Sequence, residues 1–289
     1  MKNKDSGLKH SFWVRFRSSV ILMTITVLSM IFGGYVLFGV LFAITLIGLF
    51  ELYKVVGVNK SAAGVVGYLA AAALYFSVME CTQDFGIITG CSAVGGTLPV
   101  IIGVFTVILL AVYVLAFPKF NSEQITMVFF GFFYVALTIS YIYRLRISDA
   151  GAYSVWLIFI CSWGADTMAY LTGILIGKHK IAPVLSPKKT VEGCIGGVIG
   201  ATLIGFIYSL IFKDDLSKVF DNPVLLFTIV SAVASVVSMI GDMAASAIKR
   251  NKDIKDYGSL IPGHGGILDR FDSVIFVAPI IYFLLKFIG

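Results

Sequence analysis

Apolar stretches long enough to cross a bilayer follow one another almost from end to end of this chain, and that run decides the fold class before any single residue is weighed. Of 289 residues 58% are hydrophobic, with a mean hydropathy of +0.96. Soluble domains carry about half or less. A backbone inside hydrocarbon must satisfy its own N–H and C=O groups, which a helix of roughly 20 residues does. The expectation is therefore an all-α, polytopic protein, one integral membrane domain over residues 1–289 without a separate soluble module.

Nine transmembrane helices are expected. The first two share Ser18 to Tyr53, divided at Gly33-Gly34, and the third covers 61–79, closed by Glu80, Gln83 and Asp84. Pro99 stands near the start of a fourth span reaching Phe117, in the first turn, where a helix needs no N–H from it. Asn121 followed three residues later by Gln124 reads as the N-terminal cap of a fifth, 125–143. The sixth, 152–176, contains Asp166. The seventh, 193–212, carries the pair Gly196 and Gly200, which reads as close helix packing. Asn222 and Pro223 open an eighth that reaches about Ala247, and a short ninth, 273–288, contains Pro279.

The net charge of +6 fits membrane topology better than nucleic-acid binding, because the basic residues are scattered between apolar spans. With a cytoplasmic N-terminus, 17 of the 22 basic residues fall on the cytoplasmic side, outweighed nowhere by Arg144, Arg146, Lys213, Lys218 and Lys286 opposite. Residues 1–17, with Lys2, Lys4, Lys9, Arg15 and Arg17 among Phe12, Trp13 and Phe16, suit either an interfacial segment or a plain topogenic signal. The opening apolar run exceeds the roughly 7–15 residues of a signal-peptide core, so it is expected to stay as a span. The four cysteines lack zinc-site spacing; Cys161 and Cys194 read as packing residues, and a Cys81–Cys91 disulfide has no supporting signal.

One stretch is not membrane filler. Ser246 to Asp272 holds nine charged residues in 27, five basic and four acidic, beside several glycines. Carboxylates suit Mg²⁺, lysine and arginine suit phosphate, and glycine lets backbone N–H groups come close. Asp242, Ser246 and Lys249 are spaced to share one helix face, and Asp269 and Asp272 share another if the last helix begins near Leu268. These acids fit a Mg²⁺ cradle, and they fit equally an interfacial ion-pair network. Asp166, inside a span, costs about 2.5–3.5 kcal/mol on insertion scales and so faces either a polar cavity or a neighbouring hydroxyl. His264, between glycines, could touch phosphate, carry a proton or simply bond backbone. In the preceding loop, Ser186, Lys188, Lys189, Thr190 and Glu192 stand just before a helix and suit an anion, although positive-inside marking explains the lysines alone.

At these residues the chain resembles the CDP-diacylglycerol synthase family, the phosphatidate cytidylyltransferases. The resemblance rests on Ser246, Lys249-Arg250, Lys255-Asp256, Gly258, Pro262, His264-Gly265-Gly266, Asp269-Arg270 and Asp272, with no departure from the family's pattern. SPKKTVEG and the span with Asp166 are similar to that family as well. The resemblance implies transfer of the cytidylyl group of CTP to phosphatidate with Mg²⁺, by a homodimer in the inner membrane whose active loops, 178–192 and 246–272, face the cytoplasm. It implies that Asp242, Asp269 and Asp272 hold the metal with Asp166, and that Lys249, Arg250, Lys255, Arg270, Lys188 and Lys189 meet phosphates. Ser186, Thr190, Ser246, Asp256, His264, Gly265 and Gly266 complete the expected substrate site. A transporter for an acidic solute is the rival from another class, and it would spread polar residues through the membrane depth; here they gather on one side. A CDP-alcohol phosphotransferase lacks support because its DGxxAR motif is absent.

Overall fold

The computed structural model describes residues 2–80, 93–263 and 265–289. Nine long helices are described: α1 Lys2–Phe32, α2 Gly34–Val55, α3 Ala62–Glu80, α4 Ala93–Leu115, α5 Ser122–Arg146, α6 Gly151–Ile176, α7 Val191–Ile211, α8 Pro223–Asn251 and α9 Leu268–Ile288, with a single turn at Lys213–Leu216 after α7. Among the described residues, α2 to α9 are eight helices long and apolar enough to cross a membrane, and Arg17–Phe32 of α1 is a shorter apolar stretch. The protein is an all-α polytopic membrane protein. Between α6 and α7 the chain adds an antiparallel pair, β1 Lys180–Ala182 and β2 Ser186–Thr190, where the sequence suggests only a loop.

The chain packs as two compact units: residues 1–140 with 256–270, and residues 141–255 with 271–289. In the first unit, Tyr53 is fully buried and its hydroxyl donates to the Val128 carbonyl at 3.0 Å. The ring lies against Gly131, where an added Cβ would come within 2.6 Å of it, so the small residue admits the aromatic. Thr45 and Tyr75 pair their hydroxyls at 2.7 Å in the same core, which satisfies two groups that hydrocarbon would leave costly. Asn121 and Gln124 form the expected reciprocal cap, and the Gln124 amide also donates to the Val56 carbonyl at 2.9 Å.

Two expectations about helix starts need correction. Pro99 lies inside α4, which begins six positions before it at Ala93, so the proline is an interior one of the kind membrane helices accommodate. Asn222 precedes Pro223 at the start of α8 as expected, yet its side chain makes no capping bond.

In the second unit α7 packs against α6 and α8. The glycines of α7 set that approach: a Cβ at Gly197 would stand 2.9 Å from the Ala165 carbonyl and the Ala169 methyl, and one at Gly200 would meet Met168 at 2.6 Å. Gly196 faces Thr172 in the same way. Cys161 is buried, Cys194 half-buried, and both are free. The interfacial placement of the side chains of residues 1–16 and the Cys81–Cys91 pairing lie outside the described residues.

Candidate active site

In the first unit the glycine-rich turn is built around two buried carboxylates. Gly263 and Gly265 adopt φ of 79° and 85°, a left-handed conformation that glycine takes without strain, and the turn closes through Ile261 N–H to the Gly265 carbonyl at 2.9 Å. The Asp269 carboxylate, 6% exposed, accepts the N–H of Tyr257 at 2.8 Å and of Gly266 at 2.9 Å through one oxygen, Oδ2. Asp269 thus ties both limbs of the turn together. Asp256 and Lys255 are exposed, Arg270 is half-buried, and His264 lies outside the described residues.

Glu51 of α2 is the second carboxylate, 4% exposed. It accepts the N–H of Ile267 at 3.1 Å and of Leu268 at 2.9 Å, so a side chain from a distant span caps the first turn of α9. Glycine makes room for it: a Cβ at Gly258 would come within 2.8 Å of the Glu51 carboxyl carbon, and one at Gly266 within 2.5 Å. Sequence reasoning notes Glu51 only as the first charge after the apolar run from Ser18 and gives it no role. The signal that could have found it is its place as a lone acid among apolar residues, which demands a partner inside the protein.

In the second unit the acids and lysines of α6, β2, α8 and α9 meet. The Lys189 ammonium contacts the Asp242 carboxylate at 2.5 Å, both side chains being about a quarter exposed or less. Asp272 lies within electrostatic range of Asp242, Asp166 and Lys249, and Cys194 is in range of Lys189, Asp166 and Asp242. Asp272 also accepts its neighbour Ser273 N–H at 2.8 Å. The structure therefore brings together Asp166, Lys189, Asp242, Lys249 and Asp272, five residues drawn from four separate stretches of sequence. A five-residue π turn, Ile160–Gly164, ends two positions before Asp166 and shifts the helical phase there.

Sequence position explains how β2 delivers Lys189. Thr190 caps α7 by accepting Gly193 N–H at 3.1 Å, and Glu192 accepts the N–H of Lys178 at 3.0 Å and meets His179 Nδ1 at 2.6 Å. The expected roles of Thr190 and Glu192 at an anion are thus accompanied by structural ones: both hold the hairpin on the helix. Lys188 points to solvent, Ser186 is half-buried, Ser246 is half-buried on α8, and Arg250 is exposed with its guanidinium donating to the Ile254 carbonyl at 3.3 Å.

The donor set suits Mg²⁺, which typically takes one or two carboxylates and completes its shell with water and phosphate oxygens. Asp242 already faces a cation in Lys189, so its surroundings favour positive charge. Among the described residues no three His, Cys, Asp or Glu side chains are gathered closely enough to enclose an ion unaided. An ion held there would draw its remaining donors from water and from the phosphates of a ligand.

A family model described as "Cytidylyltransferase family" matches residues 13–288. The chain is 32% identical over 269 residues to a phosphatidate cytidylyltransferase of Bacillus subtilis, an alignment that spans 92% of this chain and 94% of that protein. It is 31% identical over 272 residues to the protein of the same name from Staphylococcus epidermidis, with 94% and 98% covered. A Thermotoga maritima phosphatidate cytidylyltransferase is 40% identical over 158 residues, 53% of this chain and 56% of its own.

Proposed function

The chain belongs to the cytidylyltransferase family, and from that premise we propose that it transfers the cytidylyl group of CTP to phosphatidate, giving CDP-diacylglycerol and pyrophosphate. The observation that carries the reading is the Lys189–Asp242 pair at 2.5 Å with Asp166, Asp272 and Lys249 in electrostatic range. Mixed acids and cations at a membrane helix end suit two polyanions that repel one another until both are neutralised.

The chemistry asks little of a general base. The phosphatidate phosphate is already anionic; its oxygen forms a bond to the α-phosphorus of CTP as the α–β anhydride bond breaks and pyrophosphate departs. Positioning and charge neutralisation carry such a transfer. Lys189 exchanges its carboxylate partner for a phosphate oxygen, and Lys249 neutralises a second. Asp242 and Asp272, together with Asp166, would hold Mg²⁺, which when bound would supply positive charge against the phosphates. Asp269 belongs to this reading too, through its charge at the start of α9 and its grip on the turn. Arg250, Lys255, Arg270 and Lys188 serve as further phosphate contacts.

In this reading the protein sits in the inner membrane as a homodimer, with residues 178–192 and 246–272 facing the cytoplasm, where CTP is found. The share of basic residues on that side, 17 of 22, supports the orientation. An impermeant maleimide that reaches a cysteine placed at Ser259 from outside intact cells would overturn it.

The experiment that tests the function uses the purified protein in bilayers with cytidine-labelled CTP, phosphatidate and Mg²⁺. Phosphatidate-dependent label in the lipid phase, with equimolar pyrophosphate, is the expected result. Solute flux without label transfer would mean a transporter and would end the proposal.

A further inference from the structure

The β1–β2 hairpin has an outer end that nothing in the catalytic reading uses. Its three-residue turn, Pro183 to Leu185, carries Val184 with 89% of its surface exposed, and Ile181 on the adjoining strand is 41% exposed. From Gly177 to Val191 the chain contains four lysines and no Asp or Glu. Lys189 is turned inward to Asp242, while Lys178, Lys180 and Lys188 are exposed. The result is an apolar tip on a hairpin whose limbs carry exposed cations.

Geometry limits where that tip can lie. Both feet of the hairpin are ends of membrane helices: Ile176 is the last residue of α6 and Val191 the first of α7. The antiparallel pairing of Lys180 with Thr190 and of Ala182 with Ser186 folds the segment back on itself. Seven residues per limb reach at most about 3.3–3.6 Å each, so the turn stays within roughly 25 Å of the span ends. Glu192 and Thr190 bind the base of the hairpin to α7, which keeps it from swinging freely.

We propose that this hairpin is an interfacial anchor that seats Val184 and Ile181 in the anionic headgroup layer beside α6 and α7, with Lys178 and Lys180 on lipid phosphates. An apolar tip on limbs that carry exposed lysines is the composition that partitions to a negatively charged membrane surface. Water is the wrong neighbour for the tip, and pure hydrocarbon is the wrong neighbour for the lysines; the headgroup layer accommodates both. Because Lys189 lies on the same strand, seating the tip in anionic lipid also fixes the strand that reaches Asp242. Anionic lipid is thereby a binding partner in its own right, apart from any lipid that reacts.

The test places an environment-sensitive fluorescent amino acid at position 184 of the full chain, leaving the native cysteines untouched, and reconstitutes it in nanodiscs of neutral lipid or with increasing phosphatidylglycerol. A blue shift and a loss of iodide quenching that grow with the anionic fraction are expected. Lys178→Glu with Lys180→Glu is expected to remove that dependence, since each lysine near the surface contributes about fivefold in partitioning. A label that stays water-exposed in every bilayer overturns the proposal. Protection that persists in detergent and rises with protein concentration also overturns it, by assigning the tip to a second copy of the chain. Emission is read without substrates, so the outcome is independent of whether the protein transfers cytidylyl groups.

Discussion

Glu51 accepts the backbone N–H of Leu268 at 2.9 Å, across 217 positions of sequence. The same carboxylate accepts Ile267 N–H, so the second membrane helix supplies the cap for the last one. Helix starts leave several N–H groups without partners, and inside a membrane protein water is a poor substitute. The charged stretch that dominates the sequence is therefore held by a residue that stands far outside it.

Replacing Glu51 by alanine is expected to loosen the turn. Each buried donor left without an acceptor costs about 1–3 kcal/mol, and two are lost. Glu51→Gln keeps one carbonyl oxygen and should lose less. Hydrogen exchange at Ile267 and Leu268, with thermal melting in detergent, measures both; unchanged exchange in Glu51→Ala would remove Glu51 from this role.

Gly266→Ala is expected to displace the Glu51 carboxylate, because the new methyl would stand within 2.5 Å of its carboxyl carbon. If that clash is the cause, Glu51→Ala in the same chain relieves part of it. Contacting residues of this kind show coupling of about 0.5–3 kcal/mol in double-mutant cycles. Simple additivity of the two losses would count against the contact.

Lys189→Ala removes the cation from Asp242 and is expected to lower kcat by about 100- to 1,000-fold, the range for losing one preorganised charge-stabilising group. Melting should change little, since the pair is only part-buried. Lys189→Arg keeps the charge and should recover part of the rate. Near-normal turnover in the alanine variant would take Lys189 out of the phosphate site.

Asp269→Asn separates charge from architecture. Its amide oxygen can still accept both Tyr257 and Gly266 N–H, so the fold should survive while turnover is abolished. Asp269→Ala should both inactivate the protein and raise exchange at Tyr257 and Gly266. An active asparagine variant would reduce Asp269 to a structural residue.

Much of the fold is legible from one dimension because hydrocarbon imposes a length rule. The ends of α2, α3, α6 and α7 fall within a few residues of positions chosen from apolar runs alone, and the Asn121–Gln124 cap forms as its spacing indicates. Pro99 departs from expectation because its helix begins earlier, a matter of loop path that hydropathy does not encode. The hairpin between α6 and α7 escapes the same reasoning: its strands are three and five residues long, too short for periodicity to register.

Sequence by itself determined the membrane class, the charged stretch and the chemical character of its residues, because each follows from composition and near-neighbour spacing. Only the tertiary structure decided which of those residues meet. Lys189 finds Asp242 53 positions further along the chain, and Glu51 finds Leu268 across far more. Contacts of that kind arise from how helices pack around glycines such as Gly197, Gly258 and Gly266, where the room left by a missing side chain is a property of three-dimensional neighbours and not of the residue alone.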